Sequence, residues 1–214
     1  GQGGSQKGSP TCRGQSRIGD PTTIPSRIDL HTHTTASDGR LDPEDLVARA
    51  AGLGIGVLAI TDHDTTVGVP AALDAARRWN SGTASRAQGK IKVIPGVEIS
   101  TISGREEIHL LGYFIDLDNV DLQALLVRTR ERRRERAEQM LARLTQLGLP
   151  LELDRVLAQS GHDRSIGRAH VAMALLEAGH VGSIDEAFNL WIGRDRPAYV
   201  GGICRNEHDA AQPV

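Results

Sequence analysis

The sequence predicts an α/β domain built on a parallel sheet or barrel, with a block of helices beside it. Three observations carry this expectation. Up to about Asp121, short apolar strands alternate with helices. After Asp121 the pattern turns wholly helical. Histidines and carboxylates stand where successive strands end, the edge at which parallel sheets bind ligands.

The chain has 214 residues, enough for one medium domain with a real core, or one domain plus a small insertion. Apolar residues make up 39% and charged residues 24%, ordinary globular material. A formal net charge of -2 supplies no global field for nucleic acid or an anionic membrane, so any polyanion must be bound locally. Aromatics at 3% exclude a large base-stacking platform. Cys12 and Cys204 lie far apart without ligand-spaced neighbours and read as reduced thiols of a cytoplasm-like compartment. No apolar run approaches the ~20 residues of a membrane span. The chain starts at Gly1 rather than Met, which reads as a fragment, a processed form or an incomplete gene model.

Residues 1–26 are rich in Gly, Ser, Thr, Pro and Gln and lack periodicity, so they are expected to be disordered. Lys7, Arg13 and Arg17 against the single acid Asp20 also suit the remnant of an organelle transit peptide. Order is expected from Arg27–Leu30, a short strand. Asp42 is positioned to cap a helix with Pro43 in its first turn, running to about Ala51. Val57–Thr61 is a continuous apolar run, the pattern of a buried parallel strand. A second helix covers Pro70–Trp79, a third strand Lys92–Ile99 and a fourth Glu107–Tyr113. One long helix is expected over Leu122–Leu147, then shorter ones over 153–159, 168–178 and 184–191. The expected division is a core over 27–120, a helical subdomain over 121–195 and a divergent tail over 196–214.

His31 and His33 form an i, i+2 pair after the first strand, and an extended backbone points both imidazoles to one face. Asp38 follows in an Asp-Gly turn, which alone reads as a turn. His63 sits between Asp62 and Asp64 after the second strand, where the carboxylates could equally cap the next helix. Glu98 ends a strand of Val, Ile and Pro, where an unpaired carboxylate would cost several kcal/mol. His109 stands between Ile108 and Leu110. Six nitrogen and oxygen ligands exceed the four of a mononuclear zinc site, so two or three ions bridged by Glu98 are expected.

The ordered segments Asp29-Leu30-His31-Thr32-His33, Ser37-Asp38-Gly39, Ile60-Thr61-Asp62-His63-Asp64, Pro95-Gly96-Val97-Glu98 and Ile108-His109-Leu110-Leu111-Gly112-Tyr113 resemble the motifs of the PHP (polymerase and histidinol phosphatase) family. Within it the chain looks most similar to the bacterial branch acting on nucleotide 3',5'-bisphosphates and on the 5' ends of short RNAs. The resemblance implies a distorted (β/α)7 barrel with two or three divalent ions (Mn, Fe, Zn or Mg). It places one ion on His31, His33 and Glu98, a second on Glu98 and His109, and a third on Asp38 and His63. It puts Arg168 and His170 on the substrate phosphate, where a guanidinium fork matches phosphate oxygens. No membrane and no obligate protein partner is implied.

The family supplies further ligands from late segments, and nothing after Tyr199 fits them; His208 stands in a polar stretch. The expectation is a barrel lacking its last strands. Two readings stay open: a metal-dependent phosphoesterase, or a catalytically impaired remnant that binds metal or nucleotide. Three other signals are set aside. Gly52, Gly54 and Gly56 end a helix and enter a strand, the reverse of a dinucleotide fingerprint, so a helix C-cap is expected there. Arg128–Arg136, with interleaved glutamates, reads as a solvated, salt-bridged helix face. His162 and His180 read as loop residues, and Trp79 and Trp191 as packing anchors.

Overall fold

The structure, a computed structural model, describes residues 27–83, 85, 89–103, 106–160 and 165–201. The expectations for the N-terminal tail, Cys12, Cys204, His162 and His208 fall outside these residues.

Four strands alternate with two helices before the helical block begins. Strand β1 (Arg27–Thr32) leads to helix α1 (Pro43–Gly52), then β2 (Ile55–Ile60), helix α2 (Val69–Ser81), β3 (Lys92–Ser103) and β4 (Glu106–Tyr113). The sheet order is β1-β2-β3-β4. β1 and β3 both run parallel to β2, with Asp29 opposite Leu58 and Ile94 opposite Ala59. The apolar run of β2 sits between them, and Leu58, Ala59 and Ile60 are fully buried. Among the described residues β1 pairs with β2 alone, and Ile28 and Leu30 are exposed.

β4 departs from the all-parallel expectation. It returns antiparallel to β3, with Gly96 opposite Tyr113 and Ser100 opposite His109. β3 therefore pairs with β2 through its first half and with β4 through its second. Gly96 stands at the handover: a Cβ there would lie 2.9 Å from both the Gly112 and Ile60 carbonyl oxygens. The sheet curls as a half-barrel, and the Tyr113 hydroxyl donates to the Leu30 carbonyl of β1 at 3.0 Å.

The caps follow local chemistry. Asp42 occupies the N-cap of α1, but its side chain caps nothing and accepts from the Thr35 hydroxyl instead. α1 stops where Gly54 adopts φ 77°, the left-handed value glycine tolerates. Helix α3 (Val120–Gln146) begins at Asn119, whose side chain accepts from the Leu122 N–H at 2.9 Å. Helices α4 (Leu153–Ser160) and α5 (Arg168–Glu177) follow, then the single turn α6 (Ile184–Glu186), which continues as a π-helix over Ala187–Ile192.

Two apolar clusters result. One packs α1, α2 and the inner strands around Val47, Leu58, Ile60, Val69 and Val93, with Trp79 against it. The other packs the helical block around Met140, Leu144, Val156, Leu175 and Ile192, with Trp191 against it. Among the described residues no helix is long and apolar enough to cross a membrane.

Candidate metal centre

Five candidate side chains gather around one carboxylate. Glu98 is 3% exposed. Its Oε2 lies 2.9 Å from His31 Nε2, 3.1 Å from His33 Nε2 and 3.5 Å from His63 Nδ1, and its Oε1 lies 2.7 Å from His109 Nδ1. Asp38 stands on the far side of two of these rings, 3.3 Å from His33 Nδ1 and 3.7 Å from His63 Nε2. Neighbouring imidazole centroids are 4.7 to 5.0 Å apart. The structure thus brings all six residues into one pocket.

Each element contributes for a local reason. His31 and His33 alternate at the end of β1. His63 and Glu98 meet in an isolated parallel bridge just past the end of β2. His109 reaches Glu98 because β4 doubles back. Opposite Ser100, it shares a face with Glu98 two residues along β3.

The ligand turn between β1 and α1 is pinned by Asp62, a residue that sequence reasoning left as a possible helix cap. Asp62 is fully buried and accepts from the Thr34 N–H at 2.7 Å, the Thr34 hydroxyl at 2.8 Å and the Ser37 hydroxyl at 2.7 Å. Burial raises its pKa, with the Ser37 and Thr34 hydrogen bonds pulling the other way. Gly39 admits the tight turn, since a Cβ there would lie 2.2 Å from the His33 carbonyl oxygen. Asp64 likewise caps nothing: its carboxylate accepts from the Ser100 N–H at 2.8 Å and from Arg133.

The arginine stripe of α3 corrects the expectation of a solvated face. Arg134 and Glu138 do form an exposed i, i+4 pair. Arg136, however, is buried, bidentate on Glu107 at 2.8 and 3.2 Å, and donates to the Val200 carbonyl at 2.8 Å. Arg130 and Arg133 reach Asp64. The missed signal was spacing: Thr129, Arg133 and Arg136 continue the buried line of Leu126 and Met140.

A cleft of about 190 Å³ opens beside this cluster. It is lined by Asp38, His63 and His109, by Arg133, Arg136 and Arg168, and by the apolar Met140, Val171 and Phe188. Arg168 lies 3.8 Å from Glu107 and over the Tyr199 and Phe188 rings at 5.6 and 5.9 Å. Burial and then the neighbouring Arg136 charge lower its pKa, with Glu107 opposing. His170 is placed differently from the phosphate contact that the resemblance implied. Its Nδ1 accepts from the Gly167 N–H and its Nε2 donates to the Ser37 carbonyl, both at 2.9 Å. With both nitrogens on backbone, the ring ties the Asp38 turn to the start of α5. Burial lowers its pKa, consistent with the neutral ring these two bonds require.

The donor set fits divalent cations. Burial lowers the His63 pKa to about 4, with Arg133 adding to the effect, so the ring is neutral at pH 7. Its Nδ1 is buried without a hydrogen-bond partner. Burial pushes the Glu98 pKa up, but the His31 hydrogen bond and the surrounding imidazoles outweigh it and hold the carboxylate ionised. Imidazole nitrogens and carboxylate oxygens converging on shared points are the donors that divalent cations take. Three overlapping sets have ligand atoms within 4.8 Å of one another: His31, His33 and Glu98; His33, Asp38 and His63; and His63, Glu98 and His109.

The profile of the PHP domain matches residues 29–189. The chain belongs to the PHP domain family. This PHP domain is 41% identical over 174 residues to the 5'-3' exoribonuclease Rnm of Escherichia coli, covering 80% of this chain and 56% of that protein. It is 35% identical over 185 residues to the 3',5'-nucleoside bisphosphate phosphatase of Chromobacterium violaceum, covering 86% and 61%. A Bifidobacterium adolescentis structure assigned to a metal-dependent phosphoesterase superposes with a TM-score of 0.75 at 31% identity, covering 87% of this chain and 62% of that one. The PHP domain described here thus spans between 56% and 62% of the length of these relatives.

Proposed function

We propose that this chain is a metal-dependent phosphoesterase that hydrolyses nucleotide 3',5'-bisphosphates or the 5' ends of short RNA. The observation that carries the reading is Glu98 held by four imidazoles, two of which, His63 and His109, line a cleft together with Arg168. His31, His33 and Glu98, then His33, Asp38 and His63, then His63, Glu98 and His109 would hold two or three ions drawn from Mn, Fe, Zn and Mg. When bound, such cations supply a water of near-neutral pKa and offset phosphoryl charge. Arg168 binds a phosphate oxygen pair, and the acid beside it, Glu107, is already committed to Arg136. His170 orients the Asp38 turn. The apolar side chains of Met140, Val171 and Phe188 accept the base.

The same reading takes the half-barrel as part of a distorted (β/α)7 barrel. It keeps the division into a core over 27–120, a helical subdomain over 121–195 and a tail over 196–214, supported by the two separate apolar clusters. A second reading is a metal- or nucleotide-binding form without turnover, since the three ligand sets alone would hold cations. Phosphate release from adenosine 3',5'-bisphosphate, and nucleotide release from a 5'-phosphorylated RNA, decide between them. Turnover that requires Mn²⁺ and vanishes in Glu98→Ala supports the enzyme. A folded, metal-filled chain without turnover on either substrate leaves the second reading.

A further inference from the structure

Asp64 is a buried carboxylate on an unusual backbone, beside two candidate ligands. Its φ is 52°, a left-handed value that non-glycine residues seldom adopt. Its polar groups are all committed. The N–H donates to the Glu98 carbonyl at 2.9 Å, and its own carbonyl accepts from Arg130 Nη1 at 2.9 Å. Its carboxylate accepts from the Ser100 N–H at 2.8 Å and from Arg133 Nε at 2.5 Å. Arg133 uses its other nitrogens with equal economy: Nη2 donates to Ser100 Oγ at 2.5 Å and Nη1 to the Ile166 carbonyl at 3.1 Å.

We propose that Arg133 is a positioning residue that keeps His63 and Glu98 in the register where they share cations, acting through Asp64 and Ser100. The proposal rests on the metal reading above. His63 directly precedes Asp64, and Glu98 lies two residues before Ser100 on the same strand. Past the end of β2 the ligands meet in a single isolated bridge. The register there is therefore held by the Asp64 loop, and that loop's strained backbone is held by Arg133. Although Arg133 lines the cleft, each of its nitrogens faces a protein acceptor, so its work is directed at the ligand frame. The Ile166 arm extends this frame to the segment that starts α5 and carries Arg168. A lysine cannot replace it, because one ammonium cannot meet three acceptors set around a planar fork.

The test uses the full chain, calorimetric titration with Mn²⁺, and melting curves to verify folding. Arg133→Lys and Ser100→Ala are expected to melt as cooperatively as the native chain. Arg133→Lys is expected to lose about tenfold or more in Mn²⁺ affinity, the usual effect of removing an outer partner of a metal ligand, and Ser100→Ala to lose less. Millimolar guanidinium should restore Mn²⁺ affinity to folded Arg133→Ala and leave Arg133→Lys unchanged. Should Arg133→Ala fail to fold, the other two variants decide. Native Mn²⁺ affinity in both of them, or folded Arg133→Ala without guanidinium rescue, overturns the proposal. A native chain that takes up no Mn²⁺ overturns the metal reading and this proposal together; one that binds Mn²⁺ no better than Arg133→Lys overturns this proposal alone.

Discussion

Replacing Asp62 isolates the contribution of the pinned ligand turn. The carboxylate accepts three hydrogen bonds, at 2.7, 2.8 and 2.7 Å, from groups on Thr34 and Ser37. Hydrogen bonds to a charged acceptor contribute about 1.5–3 kcal/mol each. In Asp62→Ala the two hydroxyls can rotate to new acceptors, but the buried Thr34 N–H cannot, and it keeps a desolvation cost of about 1–3 kcal/mol. Burial of the charge, which raises the Asp62 pKa, offsets part of the loss. The net expectation is a destabilisation of about 3 kcal/mol for Asp62→Ala. Asp62→Asn keeps one acceptor for the Thr34 N–H and carries no buried charge, so it should lose about 1 kcal/mol. Urea unfolding in the presence of a chelator measures both. A midpoint for Asp62→Ala indistinguishable from the native one, or equal losses in the two variants, would refute the reasoning.

Two further outcomes follow from the same frame. The folded-state pKa of His63 is about 4, against 6.5 for the free side chain. The unfolded chain therefore takes up a proton that the folded one refuses, and the His63 contribution to metal-free stability should be constant above pH 6.5 and fall by about 3 kcal/mol toward pH 4. His63→Gln should flatten that segment of a urea-midpoint profile, and parallel profiles would contradict it. Gly39→Ala places a Cβ 2.2 Å from a backbone oxygen of the ligand turn. It should cost about 2 kcal/mol or more and weaken Mn²⁺ binding, read by melting temperature and titration; native values for both would show that the turn can yield.

The candidate ligands were legible because each broke a local rule. Glu98 is a carboxylate in an apolar strand, His109 an imidazole between branched aliphatics, and His31 and His33 share strand parity. The direction of β4 was not legible. Its apolar pattern is the same for either direction, and only pairing with β3 decides it. Asp62 and Asp64 read as ordinary cap residues because their partners, Thr34, Ser37, Ser100 and Arg133, lie 25 to 69 positions away. Arg133 and Arg136 were hidden by composition. Interleaved glutamates suggested a wet face, while the three-residue spacing that turns both inward was the better guide.

The cleft is lined from both the sheet and the helical block. Asp38, His63 and His109 stand on the sheet side, and Ala137, Met140 and Val171 belong to the helical cluster. The contacts described between the sides are polar: His170 to Ser37, Arg133 to Asp64, Arg136 to Glu107 and Gln123 to Thr66. These four contacts tie the helical side of the opening to the sheet that carries the ligands.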